Sequence, residues 1–231
     1  MGTLALLAIL ALAALGQLPS LRDPSLRDDD VPLKPGWSLA TRAAPAFAVH
    51  QIDSVNKPVS YTILRHPEGG RKDVLRWADG ADRAVAELEI YRPGAELDPS
   101  RPAIPDMAAR MGLGEATPLE EAGLVDSKFG PVPLFRAGGR ERPASPCIGY
   151  LKRIEHPALQ ISGWSCQGTS VPDRRATIAC MLNRLGLLTS GNEPGLTELF
   201  ASAGLKRRTC DPAAGADWLL GAANAQLRGA L

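Results

Sequence analysis

The central part of the chain alternates between apolar and polar residues, which is the pattern of half-buried β-strands. Three such segments cover residues 59–66, 71–77 and 83–91, and glycine-containing turn sequences separate them. Asp-Gly between alternating segments favours a hairpin, because glycine tolerates the positive φ of a tight turn. In the third segment Glu87 and Glu89 alternate with small and aliphatic residues. The pattern therefore predicts an antiparallel meander with one buried face.

Two strand-like segments and a short helix are predicted after the meander. The helix is expected near residues 105–111, and the strands cover residues 123–129 and 132–136. Pro133 has no N–H group to donate to a β-ladder. The second of these strands is therefore expected to be an edge strand, or not a strand at all.

Helical periodicity dominates toward the C-terminus. A first helix is predicted after Asp173, a favourable N-cap residue, and a second begins near residue 192. A third is predicted over residues 213–231. Strands first and helices last favour an α+β fold, an antiparallel β-meander or sheet with the C-terminal helices packed on one face. The apolar positions of the first two helices are Ile178, Met181, Leu182, Leu185, Leu196, Leu199 and Phe200.

The N-terminal 21 residues are uncharged, and residues 4–15 form an unbroken apolar run. A signal-peptide core needs about 7–15 apolar residues and a membrane span about 20. Residues 1–21 therefore suit a signal peptide or a membrane anchor, with a buried helix as a third interpretation. Residues 22–36 are polar and interrupted by proline, as in a flexible tether. Residues 37–231 are expected to form a single α+β domain.

Two of the four cysteines can be placed by the register of a hairpin. Two alternating segments flank the loop 155–158. With Ile154 opposite Leu159, Cys147 lies directly opposite Cys166, at a separation that suits a disulfide. The same register sets two aromatic residues opposite glycines, where a ring can cover the bare backbone. These pairs are Gly149 with Trp164 and Tyr150 with Gly163.

The pairing of Cys147 with Cys166 leaves Cys180 to pair with Cys210. Two disulfides indicate an oxidising compartment such as the periplasm. The alternative is a cytosolic protein with four free thiols, in which Cys180 is a small buried hydrophobe. A zinc site at the cysteines is not expected, because their spacings contain no CxxC pair.

No motif in the sequence indicates a particular reaction. The histidines, His50, His66 and His156, have no metal-binding spacing, and we find no nucleophile elbow, P-loop or dinucleotide-binding motif. We therefore expect no catalytic residue, no metal and no cofactor. The alternative is a hydrolase site that only the fold brings together, and a deep pocket that joins His50 or His66 to carboxylates would favour it. Candidates for that site are His66, Asp73, Ser60 and Ser127.

Charge gives few further clues to a ligand. Arg71 and Arg140 each follow a glycine pair, so they are candidate anion-binding residues, although such glycines are commonly turn residues. The formal net charge is +1 and aromatic residues are sparse, which argues against nucleic-acid binding. Basic residues concentrate in the C-terminal half. They offer a surface for a glycan, lipid headgroups or an acidic partner, and solvated helix ends explain them more simply.

These observations predict a membrane-targeted, periplasmic, non-catalytic α+β domain with an interaction or structural role in the cell envelope. It would be anchored on the periplasmic side of the inner membrane or secreted, and an envelope protein or glycan would be its partner. One alternative is an envelope hydrolase. Another is a cytosolic-facing, membrane-tethered domain, which the cations after the apolar run favour under the positive-inside rule. These cations are Arg22, Arg27 and Lys34.

Overall fold

An eight-stranded antiparallel sheet is the framework of the structure. In chain order the elements are β1 (Ser38–Leu39), β2 (Phe47–Val49), β3 (Val59–Arg65), β4 (Arg71–Ala78), β5 (Ala84–Arg92), α1 (Ala103–Arg110), β6 (Leu119–Ser127), β7 (Gly130–Ala137), β8 (Ile148–Ile154), β9 (Leu159–Ser165), α2 (Val171–Arg184), β10 (Leu185–Leu187) and α3 (Pro194–Leu205). This is an α+β fold, and the prediction of its class is confirmed.

A computed structural model places these elements. The predicted leader, all but the last three residues of the predicted tether, and the helix predicted over residues 213–231 lie outside the described residues. Within the described part, none of the helices combines the length and the apolar character that a membrane crossing requires. The described residues are 34–49, 59–79, 83–98, 103–113, 117–138, 147–207 and 210.

The sheet consists of two meanders joined at its centre. Strands β1, β3, β4 and β5 form one half, and β9, β8, β7 and β6 form the other, in that spatial order. The join is the pairing of β5 with β9, which sets Leu88 opposite Gly163 and Ile90 opposite Ile161. The predicted meander is therefore the first half of a larger sheet.

One face of the sheet packs against the C-terminal helices, as predicted. The apolar stripe of α2 is completely buried, and it shares one core with the sheet and with Leu196 and Phe200 of α3. Full burial of each aliphatic side chain contributes about 1.5–3 kcal/mol. A two-stranded sheet of β2 and β10 belongs to the same layer, with Phe47 and Val49 in the core.

Helix α2 begins earlier than predicted. Its N-cap is Ser170, whose Oγ accepts a hydrogen bond from the backbone N–H of Asp173. The Asp173 carboxylate accepts in return from the Ser170 N–H, which completes a capping box. The prediction of Asp173 as N-cap is therefore wrong, because this residue is at the third helical position and Pro172 belongs to the first turn.

Strand β7 is an interior strand, although Pro133 predicted an edge strand or none. The ladder between β7 and β8 starts at Leu134, beyond the proline. On the other side Pro133 is paired with Leu124, next to a shift of register in β6. The missing N–H group of Pro133 therefore lies beside an irregularity of the β6–β7 ladder and outside the β7–β8 ladder. At this position its absence costs little free energy of folding.

Strand β6 is an edge of the sheet, and α2 covers part of it. The register shift follows Glu121, and Gly123 has φ +92°. Arg175 donates from Nη1 to the Ala122 carbonyl at 2.8 Å and from Nη2 to the Leu124 carbonyl at 2.6 Å. A bulge and a charged side chain on the free carbonyls both oppose pairing with another strand.

The hairpin of β8 and β9 has the predicted register. Ile154 pairs with Leu159, Gly149 with Trp164 and Tyr150 with Gly163. The Tyr150 ring covers Gly163, as expected, and its hydroxyl donates to the Glu87 carbonyl at 2.8 Å. The side chains nearest to the open position above Gly149 belong to Met107 and Met111, at the end of α1.

Both cysteine pairs are as predicted, the first from the hairpin register and the second by elimination. Disulfides join Cys147 to Cys166 and Cys180 to Cys210, and the described residues include no free cysteine. The second bridge ties the segment after α3 to the middle of α2. Two disulfides favour a non-cytoplasmic, oxidising location.

Candidate functional site

The second face of the sheet is also buried at its centre, contrary to the prediction of a single buried face. Helix α1 covers it, with Met107 completely enclosed. Beneath the helix lie the carboxylates of Glu87 and Glu89, which alternation alone assigned to a solvent-exposed side. Both are buried because α1 brings a guanidinium to them.

Arg110, the last residue of α1, is that partner. It donates from Nη1 to Glu87 Oε1 at 2.6 Å and from Nη2 to Ser162 Oγ at 2.8 Å. Arg76 donates to the other oxygen of Glu87 at 2.7 Å. Glu89 has Lys72 at 3.4 Å and Arg110 at 3.5 Å. Each buried carboxylate is thus held between two cations.

The cations decide the ionisation of this cluster. Burial alone would raise the pKa of Glu89, but Arg110 and Lys72 offset burial and hold the pKa below its usual value. Burial opposes the charge of Arg110, yet Glu89 and Glu87 raise its pKa above the ordinary value. Glu89 and Arg110 are therefore both charged at neutral pH, and with Glu87 they form a structural clasp, a salt-bridge cluster that joins α1 to β5.

The guanidinium of Arg71, a predicted anion-binding candidate, already has an internal partner. Arg71 donates to the two oxygens of Asp73 at 2.7 and 2.6 Å and to the Ala44 carbonyl at 2.8 Å. Tyr61 donates to Asp73 at 2.9 Å and accepts from the backbone N–H groups that lead into β2. Burial and the Asp73 charge raise the pKa of Tyr61, which stays a neutral phenol. This network fastens the start of β2 to the sheet.

A histidine and two carboxylates meet at the end of β3. His66 Nδ1 lies 3.9 Å from Glu68 Oε2 and 3.9 Å from Glu96 Oε2, and the three ligand atoms all lie within 4.8 Å of one another. We call this group the His66 cluster. The imidazole packs against the Trp37 ring, with centroids 5.3 Å apart, and Trp37 also contacts Tyr91 edge-on.

Glu96 is the fixed member of the His66 cluster. Its Oε1 accepts from Tyr91 at 2.7 Å and from the Gly94 N–H at 3.0 Å, and its Oε2 accepts from the Gly70 N–H at 3.1 Å. Burial alone would raise the pKa of Glu96, but these hydrogen bonds hold it below its usual value. A Cβ on Gly94 would lie 2.3 Å from the Glu68 carbonyl oxygen and 2.6 Å from Glu96 Oε2, so this position requires glycine.

Lys128 is a buried cation outside these clusters. Its Nζ donates to the Leu185 carbonyl and lies 5.0 Å from the Phe129 ring centroid and 5.2 Å from that of Phe200. Burial, assisted by the charge of Arg207, lowers its pKa to about 8. The ammonium group has a carbonyl and two ring faces as its neighbours, which solvate it less well than water does.

The candidate hydrolase residues do not converge on one site. Asp73 is bonded to Arg71 and Tyr61, on the face of β4 that packs against the C-terminal helices. Ser127 is on β6, six strand positions away from β3 in the sheet, which is roughly 29 Å at the usual strand spacing. His66 instead has Glu68 and Glu96 as neighbours. His50 and Arg140 lie outside the described residues.

Sequence reasoning missed Glu68, Glu96 and Arg110 as partners in these clusters. Glu68 lies in the turn after β3, and Glu96 in the loop after β5, so 28 positions separate them along the chain. The adjacent pairing of β3, β4 and β5 brings their ends together. Gly70 was the one sequence signal of the contact with Glu96, but the predicted turn already accounted for a glycine at this position.

Comparisons with protein-family models, with curated proteins and with solved structures find no match to this chain.

Proposed function

We propose that this chain is an exported, non-catalytic domain of the cell envelope, anchored on the periplasmic side of the inner membrane or secreted, with an interaction or structural role. The observation that carries the proposal is the pair of disulfides. Disulfides persist in the periplasm and other oxidising compartments, whereas the cytosol keeps thiols reduced. The apolar N-terminal residues target the chain for export, as a signal peptide or an anchor.

The buried charges support a structural purpose. Arg110 clasps α1 to β5 through Glu87, and Arg71 with Asp73 fastens the start of β2. Such pairs hold elements in a fixed arrangement, as a scaffold for a binding surface requires. The partner would be an envelope protein or glycan, and the N-terminal segment would contact the membrane.

Thiol counting tests this proposal. The full chain is isolated from its native cells, alkylated under denaturing, non-reducing conditions and weighed by mass spectrometry. We expect no modified cysteine without reductant and four after reduction. Four alkylated cysteines without reductant would instead support the cytosolic-facing alternative. A topology reporter fused after Leu231 and N-terminal sequencing of the mature protein then distinguish anchored and cleaved forms.

An envelope hydrolase is the second candidate, because His66 lies beside two carboxylates. An imidazole nitrogen that carries a lone pair can act as a general base, and a nearby carboxylate stabilises the imidazolium that forms. This proposal predicts hydrolysis of a model ester, phosphoester, peptide or glycoside that His66→Gln abolishes and His156→Gln leaves intact. Equal activity of the two variants, or none in the unmodified protein, would reject it.

A further inference from the structure

We propose that the His66 cluster binds a zinc-class divalent cation through His66 Nδ1, Glu68 Oε2 and Glu96 Oε2. The two carboxylates converge on one imidazole nitrogen, at 3.9 Å each. An imidazole with two carboxylates is a donor set for a borderline divalent metal, and catalytic zinc sites use three protein ligands with water as the fourth. This inference goes beyond the proposed envelope role and does not depend on it.

The two carboxylates of the His66 cluster give it a negative charge that favours a bound cation. Within the described part of the chain, His66 is the one basic side chain within ion-pair distance of Glu68 or Glu96. The nearby Lys72 is paired with Glu89 instead. Glu96 is largely buried, with 8% of its side chain exposed, so its charge is poorly screened by water. This contrasts with Glu87 and Glu89, which each have two cations.

Glu96 is already oriented as a ligand. Oε1 accepts two hydrogen bonds and Oε2 accepts one, so Oε2 keeps a lone pair for a metal. Metal-binding carboxylates in proteins are hydrogen-bonded in this way, which fixes their orientation before the ion arrives. Tyr91 and the Gly70 and Gly94 amides are therefore its positioning groups.

The His66 nitrogen that lies near the two carboxylates, Nδ1, is the acceptor nitrogen of the ring. The Glu68 N–H donates to Nδ1 at 3.3 Å, so Nδ1 carries a lone pair on this side of the ring. The opposite nitrogen, Nε2, lies against Gly36, and Trp37 packs on the ring. A metal on Nδ1 would replace this long hydrogen bond.

Glu68 supplies part of the adjustment that binding needs, and a small shift of the His66 ring toward Glu96 supplies the rest. Ligand atoms around a tetrahedral zinc with bonds of about 2.0–2.1 Å lie about 3.3 Å apart. The observed 3.9 Å separations must therefore shrink by about half an ångström. The Glu68 side chain is 56% exposed, so solvent leaves room for it to adjust, and its exposed side is also an entry path for the ion.

Zinc titration of the full chain tests this site. The protein, without an affinity tag, is treated with chelator, dialysed, and titrated with ZnCl₂ by calorimetry and in competition with a chromogenic chelator. We expect one Zn²⁺ per chain, with affinity lowered at least about tenfold by His66→Gln and by Glu68→Gln. His156→Gln is the matched control and should bind as the unmodified protein does. Cobalt(II) should give a visible d–d absorption that His66→Gln removes.

Glu68→Gln keeps the test decisive, because its exposed side chain can be changed without loss of the fold, and a urea midpoint verifies this. Absence of saturable binding at one equivalent would overturn the proposal. Equal affinity in Glu68→Gln and His156→Gln would overturn it too, as would Mg²⁺ binding in preference to Zn²⁺. None of these results alters the thiol count, so the metal site and the proposed location are tested separately.

Discussion

Arg110 Nη1 lies 2.6 Å from Glu87 Oε1, and this contact joins the end of α1 to the central strand of the sheet. Glu87 is completely buried, so its charge depends on Arg110 and Arg76 for compensation. Removal of one partner from a buried pair is costly because the remaining charge stays out of water.

We therefore predict that Arg110→Ala lowers the free energy of unfolding by about 3 kcal/mol. Urea denaturation followed by circular dichroism measures it. The control is Arg136→Ala, because Arg136 pairs with Glu120 on the surface, where such pairs contribute about 0.2–1 kcal/mol. Equal losses in the two variants would show that the clasp is no stronger than a surface pair.

The bridge between Cys180 and Cys210 is predicted to stabilise the fold mainly by restricting the unfolded chain. The cysteines are 30 positions apart, and a loop of that size corresponds to about 3–4 kcal/mol in the chain-entropy model. Joint replacement of both cysteines by alanine should lower the free energy of unfolding by that amount, as measured in guanidinium chloride without reductant. An unchanged midpoint would contradict this expectation.

Lys128 should make stability rise with pH in the alkaline range. Its pKa is about 8 in the folded protein and near 10.5 in the unfolded chain, so the unfolded state binds more protons between these values. The free energy of unfolding should increase as pH rises through this window. Urea midpoints at pH 7, 9 and 10 measure it. Lys128→Met should abolish the contribution of this residue, and the exposed Lys206→Met should not; a slope that persists in Lys128→Met would refute the assignment.

Arg175 is predicted to protect the edge strand β6. Arg175→Ala frees the Ala122 and Leu124 carbonyls and removes the charge that covers this edge. We expect a loss of about 1–2 kcal/mol and more self-association, measured by urea denaturation and light scattering. Arg153→Ala, an exposed change on β8, is the control, and equal association in both variants would argue against edge protection.

Local sequence patterns were sufficient for most of the strands and for the first two C-terminal helices. The stripe from Ile178 to Leu185 has one periodicity and one buried side, so it could be read without knowledge of its neighbours. The register of β8 and β9 follows from the loop length and the aromatic–glycine pairs, and it placed Cys147 opposite Cys166. These features depend on residues close together in the chain.

Features that depend on distant residues were missed. Glu87 and Glu89 have the alternation of solvent-facing residues, and only the position of Arg110 over β5 makes their burial possible. The His66 cluster likewise forms where the turn after β3 meets the loop after β5, with Ala95 donating to the Glu68 carbonyl at 2.9 Å. Sequence patterns carry no information on which loops meet, so this site needed the sheet order.

The central pairing of β5 with β9 also sets an order of assembly. Neighbouring strands within each meander close short loops, whereas Leu88 and Gly163 are about 75 positions apart. Contacts between distant residues form later, because the chain must first lose the entropy of a long loop. During synthesis the first meander therefore has an open edge at β5 until β9 has been made. For this interval the nascent chain depends on its surroundings to keep that edge from pairing with another molecule.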